Sequence, residues 1–411
     1  MRRIIFLVLA VLIFTTAFCA CKSSPGEDLA SQVKADENKT YSFKTNESTP
    51  PNSYSNYQNA AISFSSKMLS SLLESDNNAV YSPSALYYQL TLLQNAASGS
   101  TQDKLKSLTG ENITISEINE CNGYFFSRLK ALSKFKKGYY ININGDMFFN
   151  ESIPVGQNFL LQNADFYKQN IFRLDFSDKD TAKIIDSYIK EKTNNKVSYK
   201  NTPEKDSGIV LINSAFMSDC WLDGYTEKDT SKDVFNGVKG SKTATYLRST
   251  EYYLDGEFCE GFVKDLKNTP AKFVALLPKN LSVKKLSEKL NGSNFLKFMD
   301  SMSVFKTCDA YLPVFSDKAT FDFAENKELR FLKETGDYSH LSYGAKTKVS
   351  DITHSFEFSV SNGGIGNKKI ASSASTKKNP DKTVKLNRPF IFAVIDNESN
   401  IPVFMGAVSD I

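Results

Sequence analysis

Apolar and polar positions alternate most regularly near the C-terminus. From 354 to 360, Phe356, Phe358 and Val360 fall on one side, and Ser355, Glu357 and Ser359 on the other. That is the period of a half-buried strand. Gly363, Gly364 and Gly366 end the pattern, and their access to positive φ predicts a flexible hinge. Residues 370–383 are small, polar or charged without apolar period, which predicts an exposed loop. Two apolar runs, 390–395 and 401–408, flank Asp396-Asn397-Glu398-Ser399-Asn400 and predict a β-hairpin buried on both faces.

Upstream, Ala61, Phe64, Met68 and Leu72 recur at helical spacing and predict an amphipathic helix over 57–76. A short strand over 78–81 runs into Ser82-Pro83-Ser84, which opens a helix with an apolar stripe over 86–93. Proline suits the first turn and serine the cap. Strands are predicted over 139–149, 171–176, 209–217, within 241–283, and over 312–315 and 319–323. Helices are predicted over 156–170, around 184–189 and over 286–298.

The N-terminus changes the picture. Arg2 and Arg3 precede an apolar run over 4–14 that is short for a bilayer span and reads as an export signal. Ala20-Cys21 resembles a bacterial lipoprotein cleavage site, making residues 1–21 a lipoprotein signal peptide and Cys21 the lipidated residue. Phe18 stands where leucine is usual, Cys19 is a rival, and an ordinary secretory signal is the alternative. Residues 22–56, rich in Ser, Asn, Lys, Glu and Pro, read as a disordered tether. Residues 57–411 show no second composition break and read as one domain. A 41% hydrophobic composition with 31 Phe and 19 Tyr supports one large core.

A net charge of +4, spread along the chain, gives no nucleic-acid stripe. Cys121, Cys220, Cys259 and Cys308 lack metal-ligand spacing and read as buried thiols rather than disulfides or ligands. Neither metal nor cofactor is expected. The chain holds two histidines, His340 and His354, and neither stands near a nucleophile motif. Walker, HExxH and CxxC patterns are missing from the sequence, so an enzyme is not expected.

One series carries more. His354 is followed ten residues later by Gly364, then by Asn387-Arg388-Pro389-Phe390 and Phe404-Met405-Gly406. At this spacing the region resembles the reactive-loop region of the serpins. Asn78 with Ser82-Pro83, the Gly99-Ser100-Thr101 turn, and Leu211, Asn213 and Trp221 are similar to other serpin segments. The chain departs from the family at Ala85, where a second serine is usual and Ser84 stands one earlier. It departs again at Asn195, which replaces a turn glycine and is the next-best residue for a left-handed turn.

The resemblance implies an α+β, serpin-like fold with three β-sheets, about nine helices and an exposed reactive-centre loop. It implies a suicide substrate: a protease cuts the loop, the loop inserts as a new strand, and the acyl-enzyme is dragged along and distorted. The implied reactive bond is Lys378–Asn379, with Lys377 the alternative, and a basic residue there suits trypsin-like enzymes. The implied hinge is Gly363, Gly364, Ile365, Gly366, Asn367, Lys368 and Lys369. By family register Ile365, Asn367, Lys369 and Ala371 turn inward on insertion. Desolvating an amide costs ~1–3 kcal/mol and an unpaired ammonium more, so insertion is expected to be slowed or stopped. Ser82, Asn213 and His354 should meet beneath the sheet, with Trp221 at its top. The implied partners are a serine or cysteine protease and, through the lipid, a membrane; nucleic acid is not a partner, and a monomer is expected. The alternative is a non-inhibitory serpin-fold binding protein.

Overall fold

The computed structural model describes residues 24–41, 49–73, 77–132, 138–366, 380 and 382–411. Strand β1 (Glu27–Asp28) precedes helix α1 (Tyr54–Leu72), strand β2 (Ala79–Tyr81), and helices α2 (Pro83–Ala96), α3 (Gly99–Thr109) and α4 (Ile115–Leu132). Then come β3 (Tyr140–Asn150), α5 (Gln157–Gln162), β4 (Asn170–Leu174), α6 (Thr181–Lys192) and the long β5 (Ile209–Cys220). Strands β6 (Thr230–Gly237), β7 (Gly240–Asp255), β8 (Cys259–Asp265) and β9 (Ala271–Pro278) lead to α7 (Val283–Lys289) and α8 (Gly292–Asp300). Next are β10 (Thr307–Pro313), β11 (Phe315–Asp322) and a ribbon of β12 (Gly336–Asp337) with β13 (Lys346–Thr347). The chain closes with β14 (Val349–Ser361), β15 (Gly364–Ile365), β16 (Lys382–Lys385), β17 (Phe390–Asp396) and β18 (Pro402–Val408).

The strands form three sheets: seven strands in the order β1-β4-β3-β5-β15-β14-β11, nine strands, and the two-stranded ribbon. With eight α-helices among the described residues, the fold is α+β. Helix α2 starts where Ser82 Oγ accepts from the Ala85 N–H at 3.3 Å and Pro83 takes the first turn. It is buried on nearly every face, which is why its polar residues must find partners inside. Strands β17 and β18 pair antiparallel and are buried at every position, as their unbroken apolar runs predict.

Four local differences from the sequence expectations have physical causes. The helix predicted over 286–298 is two helices: Asn291 Oδ1 accepts from the Asn294 N–H at 2.9 Å, starting α8. Gly292 lies so close to Asn59 that a Cβ there would come within 2.5 Å of its carbonyl oxygen. The helix predicted over 156–170 passes into a π-turn, Asn163–Tyr167, and ends at Lys168 with φ +55. The turn after α6 uses two left-handed asparagines, Asn194 and Asn195, where one was expected.

The fourth difference concerns the stretch 22–56, expected to be a disordered tether. Residues 24–41 pack along the edge of the seven-stranded sheet. Glu27 and Asp28 pair antiparallel with Arg173 and Phe172, the Leu29 N–H donates to Ile171 O at 2.9 Å, and Leu29 is 1% exposed. An open sheet edge recruits a strand, and Leu29 anchors it with the half-buried Ala30 and Val33 packed beside it. Residues 1–23, including Cys21, lie outside the described residues.

Candidate functional site at the seam of the main sheet

Strands β5 and β14 run parallel at the centre of the seven-stranded sheet. They pair directly from Ile209 and Val349 to Phe216 and Glu357. Beyond that point β15 lies between them, with Gly364 and Ile365 pairing antiparallel to Ser361 and Val360 on one side and to Cys220 and Asp219 on the other. The Gly366 N–H donates to Ser359 O at 2.9 Å, and Ile365 is fully buried. The hinge was expected as a flexible link. Its described part is instead a packed strand start. Gly364 sits at φ +144 and Gly366 at φ +59, and a Cβ would lie 1.9 Å from Asp219 O at the first and 2.0 Å from Met217 O at the second. Both positions therefore need glycine for space as well as for conformation. Gly363 donates its N–H to Ser361 Oγ at 3.2 Å in the preceding turn. Asn367, Lys368, Lys369, Lys377, Lys378 and Asn379 lie outside the described residues.

Where the strands pair directly, a polar clasp crosses the seam. His354 faces Asn213 in register. Its Nε2 accepts from the Ser82 N–H at 3.0 Å, which leaves the proton on Nδ1 to donate to Asn213 Oδ1. Asn213 Nδ2 donates to Gln89 Oε1 at 2.7 Å, and Gln89 Nε2 donates to Asp146 O and Ile212 O at 3.0 and 3.1 Å. Ser82 Oγ and Ser84 Oγ donate to Val403 O and Pro402 O, both at 2.7 Å. Ser84 thus ties α2 to β18 although it stands one residue before the family's usual second serine. Burial pushes the His354 pKa down to about 3, so the ring is neutral. Both ring nitrogens are occupied by an amide oxygen and a backbone N–H, so nothing there is activated as a nucleophile.

The family model for serpins, serine protease inhibitors, matches residues 59–411. The chain belongs to the serpin family. Serpin A3-1 of Bos taurus is 23% identical over 368 residues, covering 86% of this chain and 88% of that protein. Alpha-1-antiproteinase of Rattus norvegicus is 21% identical over 348 residues, covering 81% and 84%. Among solved structures, the thermophilic serpin tengpin in its native state superposes with a TM-score of 0.80 at 27% identity, covering 94% of this chain and 99% of that one. Human thyroxine-binding globulin complexed with thyroxine has TM-score 0.74 at 19% identity, covering 87% and 99%, a likeness of fold alone. Serpins are generally protease inhibitors rather than catalysts.

In this serpin Trp221 stands apart from the Ser82–Asn213–His354 trio. Its ring is buried, and Nε1 donates to Ser361 O at 2.8 Å, fixing the end of β14 where the hinge begins. His354 and Ser361 are separated by about 23 Å at the rise of a strand. Beneath Trp221 the buried Lys264 donates to Glu251 Oε1 at 2.7 Å and Asp223 O at 3.0 Å, with its ammonium 4.3 Å from the Tyr225 ring centroid. Asp219, the β5 partner of Ile365, is buried and accepts from Thr269 N and Oγ1, both at 2.7 Å. Sequence reasoning missed Gln89, Lys264, Glu251 and Asp219. Only Gln89 left a readable signal, as an amide inside the apolar stripe of α2. Cys121, Cys259 and Cys308 are buried and Cys220 half-buried, none disulfide-bonded. Burial pushes the first three thiols up to about 12, and none is a reactive nucleophile at neutral pH.

Proposed function

We propose that this serpin is a secreted protease inhibitor acting as a suicide substrate, its bait bond Lys378–Asn379 with Lys377 the alternative. The observation that carries the reading is β15. The start of the reactive loop already occupies the seam as the first residues of an added strand, with β5 and β14 spread around it. Insertion continues that strand by parting the direct β5–β14 pairs, so the loop follows a path begun in the native state. The His354–Asn213 clasp is the first large obstacle along it. A basic bait residue selects trypsin-like serine proteases, and a cysteine protease with a basic preference is served by the same bond. The chain is held at a membrane by lipid on Cys21.

A second reading is a non-inhibitory serpin-fold binding protein. The alternation that turns Ile365 inward makes Asn367 and Lys369 the next inward positions, where an ammonium is costly to bury. Incubation with trypsin, followed by denaturing electrophoresis, separates the two. Inhibition gives a complex that survives detergent. A loop cut at Lys377 or Lys378 with no such complex supports the second reading. Fatty-acid labelling that persists in Cys21→Ala would refute the anchor.

A further inference from the structure

Between α8 and β10 the chain holds three large apolar side chains out in water: Met302 is 41% exposed, Val304 68% and Phe305 92%. Local backbone chemistry gives no reason for them. Ser303–Lys306 is a β-turn, closed by the Lys306 N–H donating to Ser303 O at 3.1 Å, and Val304 and Phe305 take its two central positions. Turns favour Gly, Pro, Asn, Asp and Ser, whose backbone freedom or side-chain hydrogen bonds suit them. Valine and phenylalanine there bury little and stabilise little. The turn is also braced. Ser303 Oγ accepts from the Phe305 N–H at 3.3 Å, and Lys306 O accepts from the Tyr253 N–H on β7 at 3.0 Å. Ser301 Oγ donates to Phe298 O at 2.6 Å and accepts from the Asp255 N–H at 3.0 Å. A braced apolar projection loses little freedom when a partner covers it.

The turn stands beside the strand by which the reactive loop returns to the body of the molecule. Strands β10 and β16 run parallel, with Cys308 the register partner of Lys382. Phe305 comes three residues before Cys308, and Lys378 four residues before Lys382. Fully extended, those stretches reach at most about 11 and 14 Å. A protease domain of ~200 residues is roughly 40 Å across, so one that holds the bait bond has the turn within reach of its own surface. The flanking charges are mixed: Asp255 and Asp300 are exposed, as are Lys297 and Lys306. The apolar tip therefore lacks the basic collar that would draw it to an anionic bilayer.

We propose that the turn 302–305 is a second docking point for the target protease, covered by an apolar patch beside the cleft of a trypsin-like enzyme. The bait residue fixes where the enzyme cuts. The turn strengthens the encounter and selects among enzymes that share the basic preference. This inference rests on the reading of Lys378 as bait, but not on loop insertion, because the contact forms before the bond is cut.

Anhydrotrypsin, which holds a bait residue but cannot cut it, reads the encounter without insertion. It is expected to bind the full chain one to one. Val304→Ser combined with Phe305→Ser should raise the Kd about tenfold, by the same factor at low and high salt because no charge is removed. The variant should melt as the wild type does, since both side chains stand in water. An unchanged Kd overturns the proposal, even where active trypsin forms a detergent-stable complex with the chain. A tenfold loss without such a complex leaves the docking point standing and refutes inhibition instead. Absence of anhydrotrypsin binding to the wild type also overturns it, while cutting by active trypsin at Lys377 or Lys378 shows separately that the bait reading holds. If the double variant instead loses binding to phosphatidylglycerol–phosphatidylcholine vesicles, or loses self-association in sedimentation, with its Kd for anhydrotrypsin unchanged, the turn belongs to a bilayer or to a second copy and the proposal fails.

Discussion

The two ends of one seam behave differently. Where β15 sits, β5 and β14 are held apart by a glycine-bounded segment whose backbone pairs with both neighbours. Farther along the strands the same pair is closed, and His354 and Asn213 meet across it. The open end is fitted by steric exclusion, since only glycine suits 364 and 366. The closed end is fitted by polar satisfaction, since each buried side-chain nitrogen and oxygen of the clasp has at least one specific partner. The first arrangement tolerates extension of the inserted strand. The second resists it, because separating β5 from β14 leaves buried amides without partners.

The largest expected effect is at the closed end. His354→Ala leaves the Ser82 N–H and Asn213 Oδ1 buried and unpaired beside a void, and should lower stability by about 3 kcal/mol in chemical denaturation. At the open end, Gly364→Ala meets both the Asp219 carbonyl and an unfavourable φ. It should expel β15 and expose Ile365, for about 2–3 kcal/mol of lost protection at the Gly366 amide in hydrogen exchange. Protection across 209–216 should persist. If it falls as well, the two ends are not separable.

A third substitution serves as a control away from the seam. Leu29→Ala removes the anchor of the edge segment and should lower stability by about 2 kcal/mol without changing exchange in β14 or β15. A loss of protection at the hinge would show that the edge segment and the seam are coupled.

The smallest effect is in pH. His354 is held at about 3 when folded and titrates near ~6.5 when unfolded, so its contribution is complete above that value and is lost as pH falls. Burial pushes Asp351, also on β14, up to about 6 from an unfolded value of ~3.9, so its contribution is lost as pH rises through that window. Between about pH 4 and 6 the two oppose each other, and the wild type should show a shallow slope. Asp351→Asn should uncover the histidine, with stability falling by about 1.4 kcal/mol per unit as pH drops below 6. An equally shallow slope in that variant would mean that His354 is protonated in the fold.

Much of this seam was legible in the chain. Alternation at Phe356, Phe358 and Val360 gives the strand, and the glycines locate its end. The meeting of Ser82, Asn213 and His354 came from family resemblance, because no local pattern links residues so far apart in sequence. What was not legible depends on neighbours. Gly364 reads as a hinge, and only the approach of the Asp219 carbonyl shows that it is wedged. Leu29 lies in a mostly polar stretch without apolar period, and its role needs the open edge of β4. Asn291-Gly292 breaks a helix that periodicity alone runs through.

The path of the loop is tested most directly by locking the closed part of the seam. Ala215 and Phe356 are register partners across β5 and β14, and Ala215→Cys with Phe356→Cys places a disulfide between the strands. The measurement is the melting midpoint before and after tryptic cleavage of the loop, with that disulfide closed and reduced. The account predicts a large rise on cleavage only in the reduced form, because only there can the added strand grow past the locked pair. An equal rise in both forms, or no rise in either, would contradict it.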